Sequence, residues 1–269
     1  MGFKLGVNIW SYPKSLDIRD IMKHAAKTGY NGFEPAITLD DIEVFGSSSF
    51  DEKWRRISEE ASSLGLEIPS IATGLFWRYN WVKESDVEKA LRVVEAEAKA
   101  ASIVGAKVIL VVPGVGVPEL SYEEHFEKAV KALSRAEKIA RDYGVRIGLE
   151  KVWNRVFAGP LEFKKLLDNL DPEVFGAYFD VGNTLPHSLP EHWIEVLGKR
   201  ILQVHVKGFN MAELRFGIPL FGDINWSVVR KRLEEIGYKG FIVAEVPPYR
   251  GDPYKAVEDT FTSLKKIFG

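Results

Sequence analysis

Short apolar segments rich in β-branched residues alternate with amphipathic helical segments eight times along the chain. Apolar residues run almost without interruption through each short segment, as is typical of strands buried on both faces of a parallel sheet. Eight such units in 269 residues predict a closed (β/α)8 barrel, the TIM barrel, as one α/β domain over residues 1–269. The predicted strands are residues 4–9, 32–36, 67–72, 107–112, 146–150, 176–180, 201–205 and 241–245.

The segments between these strands have the periodicity of amphipathic helices, and a glycine follows several of them as a C-terminal cap. The predicted helices are residues 18–28, 51–64, 85–103, 122–143, 160–169, 190–197, 226–236 and 254–267. The alternative is an open doubly wound sheet. Sheets of that class usually carry a dinucleotide fingerprint, and the segment Gly114-Val115-Gly116 lacks its third glycine.

Composition limits the kinds of binding partner, the location and the growth temperature that we expect for this protein. The net charge of −2 argues against nucleic acid as a partner. No apolar run reaches the ~18 residues of a membrane span, so we expect a soluble, cytoplasmic protein, and homo-oligomerisation stays open. Cysteine is absent, which excludes thiolate metal ligands. Gln203 is the only glutamine and 28% of residues are charged, a tendency of thermophile proteins.

Polar side chains close four successive predicted strands near the C-terminus of the chain. These residues are Glu150, Asp180, His205 and Glu245. In a barrel, such positions converge on one mouth, where chemistry is carried out. Any one of them alone could instead pair with a lysine or cap a helix. Three buried carboxylates together repel each other unless a cation neutralises them, so the pattern predicts one bound divalent ion. Mixed oxygen and nitrogen ligands suit Mn2+, Co2+, Mg2+ or Zn2+.

At these residues the chain resembles the sugar isomerase/epimerase superfamily with the xylose isomerase-like barrel. This superfamily includes the D-tagatose/D-psicose 3-epimerases, hydroxypyruvate isomerase and endonuclease IV. The resemblance extends over essentially the whole chain, and it is clearest in the segments "GLEKVWNR", "YFDVGNT", "VHVKGF", "FGDINW" and "IVAE".

The resemblance implies that Glu150, Asp180, His205 and Glu245 are the metal ligands, and that Glu150 and Glu245 are also the catalytic acid/base pair. Asn154 and Arg155 resemble the Asn-Arg pair that follows the family's first glutamate, with Trp153 inserted. Three features of the epimerase pattern are absent, which leaves the ketose substrate in doubt. Val156 and Phe157 stand where a glutamate is expected, Asn183 replaces a histidine, and Met211 replaces a substrate-binding arginine.

Further residues near the predicted mouth are candidates for substrate binding. Arg155, Lys207 and Arg215 could bind a carboxylate or phosphate of the substrate, or be solvated loop charges. The remaining substrate-binding candidates are Trp10, Trp77, Asn154, Asn183 and His187.

These residues favour a metal-dependent sugar epimerase or aldose–ketose isomerase that transfers a proton through an enediolate between two glutamates. The substrate would be a small ketose or keto-acid sugar. A dehydratase of a sugar or cyclitol, similar to inosose dehydratase, is the main alternative. A DNA-repair nuclease would need a cluster of ions and many histidines. A non-catalytic sugar-binding barrel would not need the complete set of four ligands.

Overall fold

The computed structural model describes residues 2–269, and in this part of the chain nine strands form one parallel sheet that curves into a barrel. The strands are β1 (Lys4–Asn8), β2 (Gly32–Glu34), β3 (Ala36–Ile37), β4 (Ser70–Thr73), β5 (Val108–Val111), β6 (Arg146–Glu150), β7 (Phe175–Asp180), β8 (Ile201–Val206), β9 (Gly208–Asn210), β10 (Arg215–Gly217) and β11 (Phe241–Ala244). The order around the sheet is β2-β1-β11-β8-β7-β6-β5-β4-β3, which confirms the predicted barrel. The prediction of one domain begins at residue 1, which lies outside the described residues.

The second strand of the barrel is interrupted, whereas the sequence predicted one continuous strand over residues 32–36. Pro35 separates β2 from β3, because proline has no backbone N–H to donate to the sheet. Each half pairs with the neighbouring strand on its own side: β2 pairs with β1, and β3 pairs with β4. Nine strands therefore fill eight barrel positions.

Helices follow the strands and cover the outside of the barrel. They are α1 (Ile18–Thr28), α2 (Leu39–Val44), α3 (Ser48–Ser63), α4 (Glu84–Val104), α5 (Tyr122–Ser134), α6 (Glu137–Tyr143), α7 (Pro160–Asp168), α8 (Val181–Thr184), α9 (Pro190–Leu197), α10 (Trp226–Glu235) and α11 (Lys255–Phe268). Across residues 2–269, no helix combines the length and the apolar composition that a membrane span requires.

The predicted helix over residues 122–143 is divided into α5 and α6. The Ser134 hydroxyl donates to the backbone carbonyls of Val130 and Lys131, at 2.9 and 3.1 Å. The next two amides, of Arg135 and Ala136, bond to carbonyls only three residues back, which tightens the chain. Serine hydroxyls compete in this way for the carbonyls of a helix and often bend it.

Two short elements that the sequence did not predict lie at the carboxyl ends of the last strands. The short helix α8 begins directly after β7, with Asp180 as its N-cap. The antiparallel hairpin β9–β10 follows β8, and Arg215 pairs with Asn210 across it. Both elements add backbone to the side of the barrel where the polar strand ends converge.

One charged residue, Glu97 of α4, is fully buried, and neither carboxylate oxygen has a hydrogen-bond partner. Burial, together with the charge of Glu34, raises the pKa of Glu97 well above its usual range. The neutral carboxyl is therefore the favoured form in the folded protein. A buried polar group without a partner costs about 1–3 kcal/mol.

We expect Glu97→Leu to raise the free energy of unfolding by about 1–3 kcal/mol, because it removes this unsatisfied group. The exposed Glu59 of α3 is the control, and Glu59→Leu should change the value by less than about 0.5 kcal/mol. Denaturant unfolding measures both. The folded state keeps a proton that the unfolded chain releases near pH 4.5. The part of the wild-type stability that depends on this retained proton is thus complete below that pH and is lost as pH rises toward the folded pKa. The advantage of Glu97→Leu over the wild type should grow over the same range, and a pH-independent difference would contradict it.

The composition predicts unusual thermal stability. We expect a calorimetric unfolding midpoint above the ~45–65 °C range of mesophile domains. Ion pairs across the surface are consistent with this expectation, among them the contacts of Arg141 with Glu137 and Asp171. A midpoint inside the mesophile range would remove the thermophile interpretation without affecting the proposed chemistry.

Candidate metal centre

Four predicted ligands converge at the carboxyl end of the barrel. Within residues 2–269, one group of acidic and histidine side chains has the geometry of a metal site, and its ligand atoms all lie within 4.8 Å of one another. The group consists of Glu150 (β6), Asp180 (β7), His205 (β8) and Glu245, directly after β11. Three of these residues are buried, and the side chain of Glu245 is 18% exposed.

The helix α8 organises the first two ligands. One carboxylate oxygen of Asp180 accepts the backbone N–H of Asn183 at 2.8 Å, as the cap of the helix. The side-chain amide of Asn183 in turn donates to Glu150 Oε1 at 3.2 Å. The helix therefore fixes both carboxylates relative to each other.

Lys207 brings a positive charge into the group of ligands. Its Nζ lies 2.8 Å from Asp180 Oδ2 and donates to Glu245 Oε2. The backbone of Lys207 passes so close to Gly182 that a Cβ at that position would lie 2.8 Å from the Lys207 carbonyl oxygen. Only glycine fits there without a shift of the strand.

A polar layer inside the barrel lies behind His205. We define this inner layer by the side chains of Asn8, Glu34, Ser70 and Tyr178, which project from four strands. Glu34 is fully buried, and its Oε2 lies 2.6 Å from His205 Nε2. The Tyr178 ring packs edge-on against the imidazole, with centroids 4.6 Å apart. Burial would raise the pKa of Glu34, but His205, Ser70 and Tyr178 together lower it.

The carboxylates of the group have different electrostatic environments. Burial, followed by the charges of Glu245 and Asp180, raises the pKa of Glu150 to about 8. Burial also raises the pKa of Asp180, although Lys207 opposes this effect. Burial would raise the pKa of Glu245 as well, but Lys207 and His205 lower it below its usual range.

The two basic groups are held in their charged forms by neighbouring carboxylates. Burial opposes the charge of Lys207, but Asp180, Glu245 and Glu150 raise its pKa above the usual range. Burial likewise opposes the charge of His205, whereas Glu34 and Glu245 raise its pKa. Metal binding through His205 would require the imidazole to release a proton.

The residues present fit a divalent cation. His205 Nδ1 is buried without a hydrogen-bond partner, and it lies 3.6 Å from Glu245 Oε2. Lys207 balances one of the three carboxylates, which leaves the charge of two carboxylates for a divalent ion to balance. Three carboxylates and one imidazole form a ligand set that suits Mn2+, Co2+, Mg2+ or Zn2+.

Two of the predicted substrate-binding residues contact the ligands directly, namely Asn183 and Lys207. His187 is connected less directly: its Nδ1 lies 2.7 Å from Nζ of Lys151, the residue that follows Glu150. Asn154 is buried, and its side-chain amide donates to the carbonyl of Gly114 at 2.6 Å. That bond ties the two loops after β5 and β6 together.

Four other candidates form no hydrogen bond or ion pair with the ligands in the described part of the chain. Trp10 is half-buried in a turn after β1, and Trp77 is 52% exposed after β4. Arg155 is exposed and has a left-handed backbone, with φ of 65°. Arg215 is exposed on β10 and pairs with Glu213 at 2.9 Å. Their roles in substrate binding stay predictions.

Sequence reasoning missed two residues of this site, Glu34 and Lys151. Glu34 ends the strand β2, but the predicted strand continued to residue 36, so the rule that looks for polar strand ends passed over it. Lys151 is buried, and its Nζ donates to the carbonyl of Asn183 at 2.5 Å. Burial lowers the pKa of Lys151 to about 8. No signal beyond its place next to Glu150 marked Lys151.

Comparison with known families supports the same fold. The family model for the xylose isomerase-like TIM barrel matches residues 22–267, which is most of the chain. The chain belongs to this family. The matched range includes Glu150, Asp180, His205 and Glu245, the four predicted ligands.

The relatives of this chain in sequence include an uncharacterised protein and inosose dehydratases. An uncharacterised protein of Methanocaldococcus jannaschii is 33% identical over 154 residues, which cover 52% of this chain and 50% of that protein. The chain thus matches half the length of that relative. An inosose dehydratase of Bacillus cereus is 23% identical over 257 residues, which cover 84% of this chain and 86% of that enzyme.

Among solved structures, a D-psicose 3-epimerase of Clostridium cellulolyticum, determined with D-tagatose, superimposes with a TM-score of 0.81. The superposition covers 98% of each chain at 16% sequence identity. A likeness at this identity shows the fold of this xylose isomerase-like barrel, and function has to be argued from the site.

Proposed function

We propose that this protein is a metal-dependent epimerase or isomerase of a small sugar. The observation that carries the proposal is the convergence of two glutamates from separate strands on one group of ligands, with all ligand atoms within 4.8 Å. Glu150, Asp180, His205 and Glu245 would hold the ion. When bound, a divalent ion supplies positive charge that stabilises an enediolate formed from the substrate carbonyl.

Glu150 and Glu245 would transfer the protons. One glutamate removes the proton from the carbon next to the carbonyl. The electron pair of the broken C–H bond forms the carbon–carbon double bond of the enediolate, and the π pair of the carbonyl moves onto its oxygen. If the other glutamate returns a proton to the opposite face of the same carbon, the product is an epimer. If the proton returns to the neighbouring carbon, an aldose and a ketose interconvert. General acid/base catalysis of this kind contributes about 10²–10⁴-fold.

Lys207 and Asn183 would orient the substrate and the glutamates. The ammonium of Lys207 is positioned by Asp180 and Glu245, and it lies 5.0 Å from the ring centroid of Phe216 on β10. It can therefore bind a substrate oxygen beside Glu245. Trp153, which is 43% exposed, packs on Phe216 and extends this aromatic wall.

A dehydratase is the second candidate, because inosose dehydratases match over 84% of the chain. The first step is the same proton removal next to a carbonyl. A carbon–carbon double bond then forms as the β-hydroxyl leaves, and that hydroxyl takes a proton to depart as water. Lys207 is a suitable donor for this proton, since its ammonium touches Glu245.

Product analysis distinguishes the two reactions. Metal-loaded protein is incubated separately with a panel of ketoses, keto-acid sugars and an inosose, and the products are identified by NMR and mass spectrometry. Epimerisation or isomerisation leaves the mass unchanged, whereas dehydration lowers it by the mass of one water. We expect a product of unchanged mass from a sugar. A dehydrated product alone would establish the second candidate, and no turnover of any member would count against both.

A further inference from the structure

A fully buried carboxylate touches the side of His205 that faces away from the other ligands. Each oxygen of Glu34 is approached by two groups that can donate. Oε2 accepts from the Asn8 side-chain amide and lies 2.6 Å from His205 Nε2. Oε1 accepts from the hydroxyls of Ser70 and Tyr178. An ionised carboxylate offers about four acceptor sites, so this one is fully used.

The direction of these hydrogen bonds fixes the protonation of the imidazole. The backbone N–H of Trp10 donates to Asn8 Oδ1 at 2.6 Å, so the Asn8 nitrogen faces Glu34 as a donor. With three other donors on the carboxylate, Glu34 acts as the acceptor toward His205. His205 Nε2 must then carry the proton, and Nδ1 is the nitrogen with a free lone pair once the imidazole is neutral.

The free nitrogen points into the candidate metal centre. His205 Nδ1 is buried, lacks a hydrogen-bond partner and lies 3.6 Å from Glu245 Oε2. A rotated ring would lose the contact between Nε2 and Glu34 and would place a C–H group among the ligands. The edge-on packing of Tyr178, at an interplanar angle of 72°, restricts such rotation.

We propose that Glu34 is a positioning residue that holds His205 with Nε2 protonated and directs Nδ1 to the divalent ion. This inference rests on the proposed metal centre. Glu34 itself touches neither the ion nor the substrate and acts through His205. Carboxylates that hold a ligating histidine in this way set its orientation and raise its basicity as a ligand.

The affinity for metal tests this role. In Glu34→Gln, the side chain loses its negative charge and an amide nitrogen replaces one acceptor oxygen, so the charged acceptor that holds the His205 N–H is lost. We expect metal affinity to fall by about 10–100-fold, measured by competition with a chelator, while the circular dichroism spectrum stays that of the wild type. Glu97→Gln is the matched control, because Glu97 is equally buried but makes no hydrogen bond to His205. Its affinity should equal that of the wild type.

A measurement on the wild type keeps the inference testable if Glu34→Gln does not fold. In zinc-loaded protein labelled with 15N, the ring nitrogens of His205 should show a protonated Nε2 and a metal-bound Nδ1. Zinc bound to Nε2, or unchanged metal affinity in folded Glu34→Gln, would overturn the role of Glu34 while the metal centre stands. Failure of the wild type to bind any divalent ion would overturn the metal centre, and this inference with it.

Discussion

Glu150→Gln and Glu245→Gln should each lower turnover by about 10²–10⁴-fold, because each substitution removes a group that accepts or returns a proton. Glutamine preserves the size of the side chain and one oxygen that can bind the ion. The measurement is kcat at saturating substrate and metal, with the metal content of each variant determined on the same sample. The variants should keep the secondary structure of the wild type.

The control for this pair is Glu97→Gln, in which the same substitution is made at a buried position outside the site. Its kcat should equal that of the wild type. Loss of metal would mimic loss of the base, so only metal-loaded variants are compared. If both metal-loaded variants epimerise at the wild-type rate, the two-glutamate scheme is wrong, and a hydride shift becomes the next candidate mechanism.

His205→Ala should reduce metal affinity by more than Glu34→Gln does, for which we expect a loss of about 10–100-fold. The reason is that His205 is the only imidazole in the group of predicted ligands. Wild-type protein purified without chelator should contain about one divalent ion per chain, because the ligands form a single four-residue group. Elemental analysis and chelator competition measure these two quantities.

His192→Ala is a suitable control for His205→Ala, because His192 is exposed on α9 and does not belong to the group of ligands. It should bind metal as the wild type does. Unchanged metal content and affinity in His205→Ala would show that the ligand assignment is wrong. Two or three tightly bound ions per wild-type chain would favour the nuclease alternative.

The convergence of the four predicted ligands could be predicted because each one lies at, or next to, the end of an apolar strand. Glu150 ends β6, Asp180 ends β7, and His205 lies one residue before the end of β8. The carboxyl ends of parallel barrel strands meet at one mouth, so spacing along the chain was enough to bring these residues together. The resemblance to the epimerases led to the same residues.

Glu34 was missed because the second strand was predicted to continue to residue 36, which placed Glu34 inside the strand and not at its end. Pro35 contained the necessary information, since proline interrupts the hydrogen bonding of a central strand. The division between α5 and α6 depends on one hydroxyl, that of Ser134, and helical periodicity does not reveal it.

The surroundings of the ligands were harder to predict, because they depend on contacts between distant parts of the chain. The approach of Lys207 to Asp180 and Glu245 requires the close passage of its backbone past Gly182. The hairpin β9–β10 places Phe216 beside the Lys207 ammonium, and its short strands carry little periodic signal. Such contacts arise from tertiary packing and not from local propensity.

Solvent exchange in D2O tests the central claim most directly, because it follows the proton that Glu150 and Glu245 are proposed to transfer. Metal-loaded wild-type enzyme converts its substrate in D2O, and NMR locates deuterium in the product. The two-glutamate account predicts deuterium on the carbon next to the carbonyl of the product, for epimerisation and for isomerisation alike, since the returning glutamate has exchanged its proton with solvent. Complete conversion with the original hydrogen retained or moved to the neighbouring carbon, and no deuterium incorporated, would contradict the account and indicate a hydride shift.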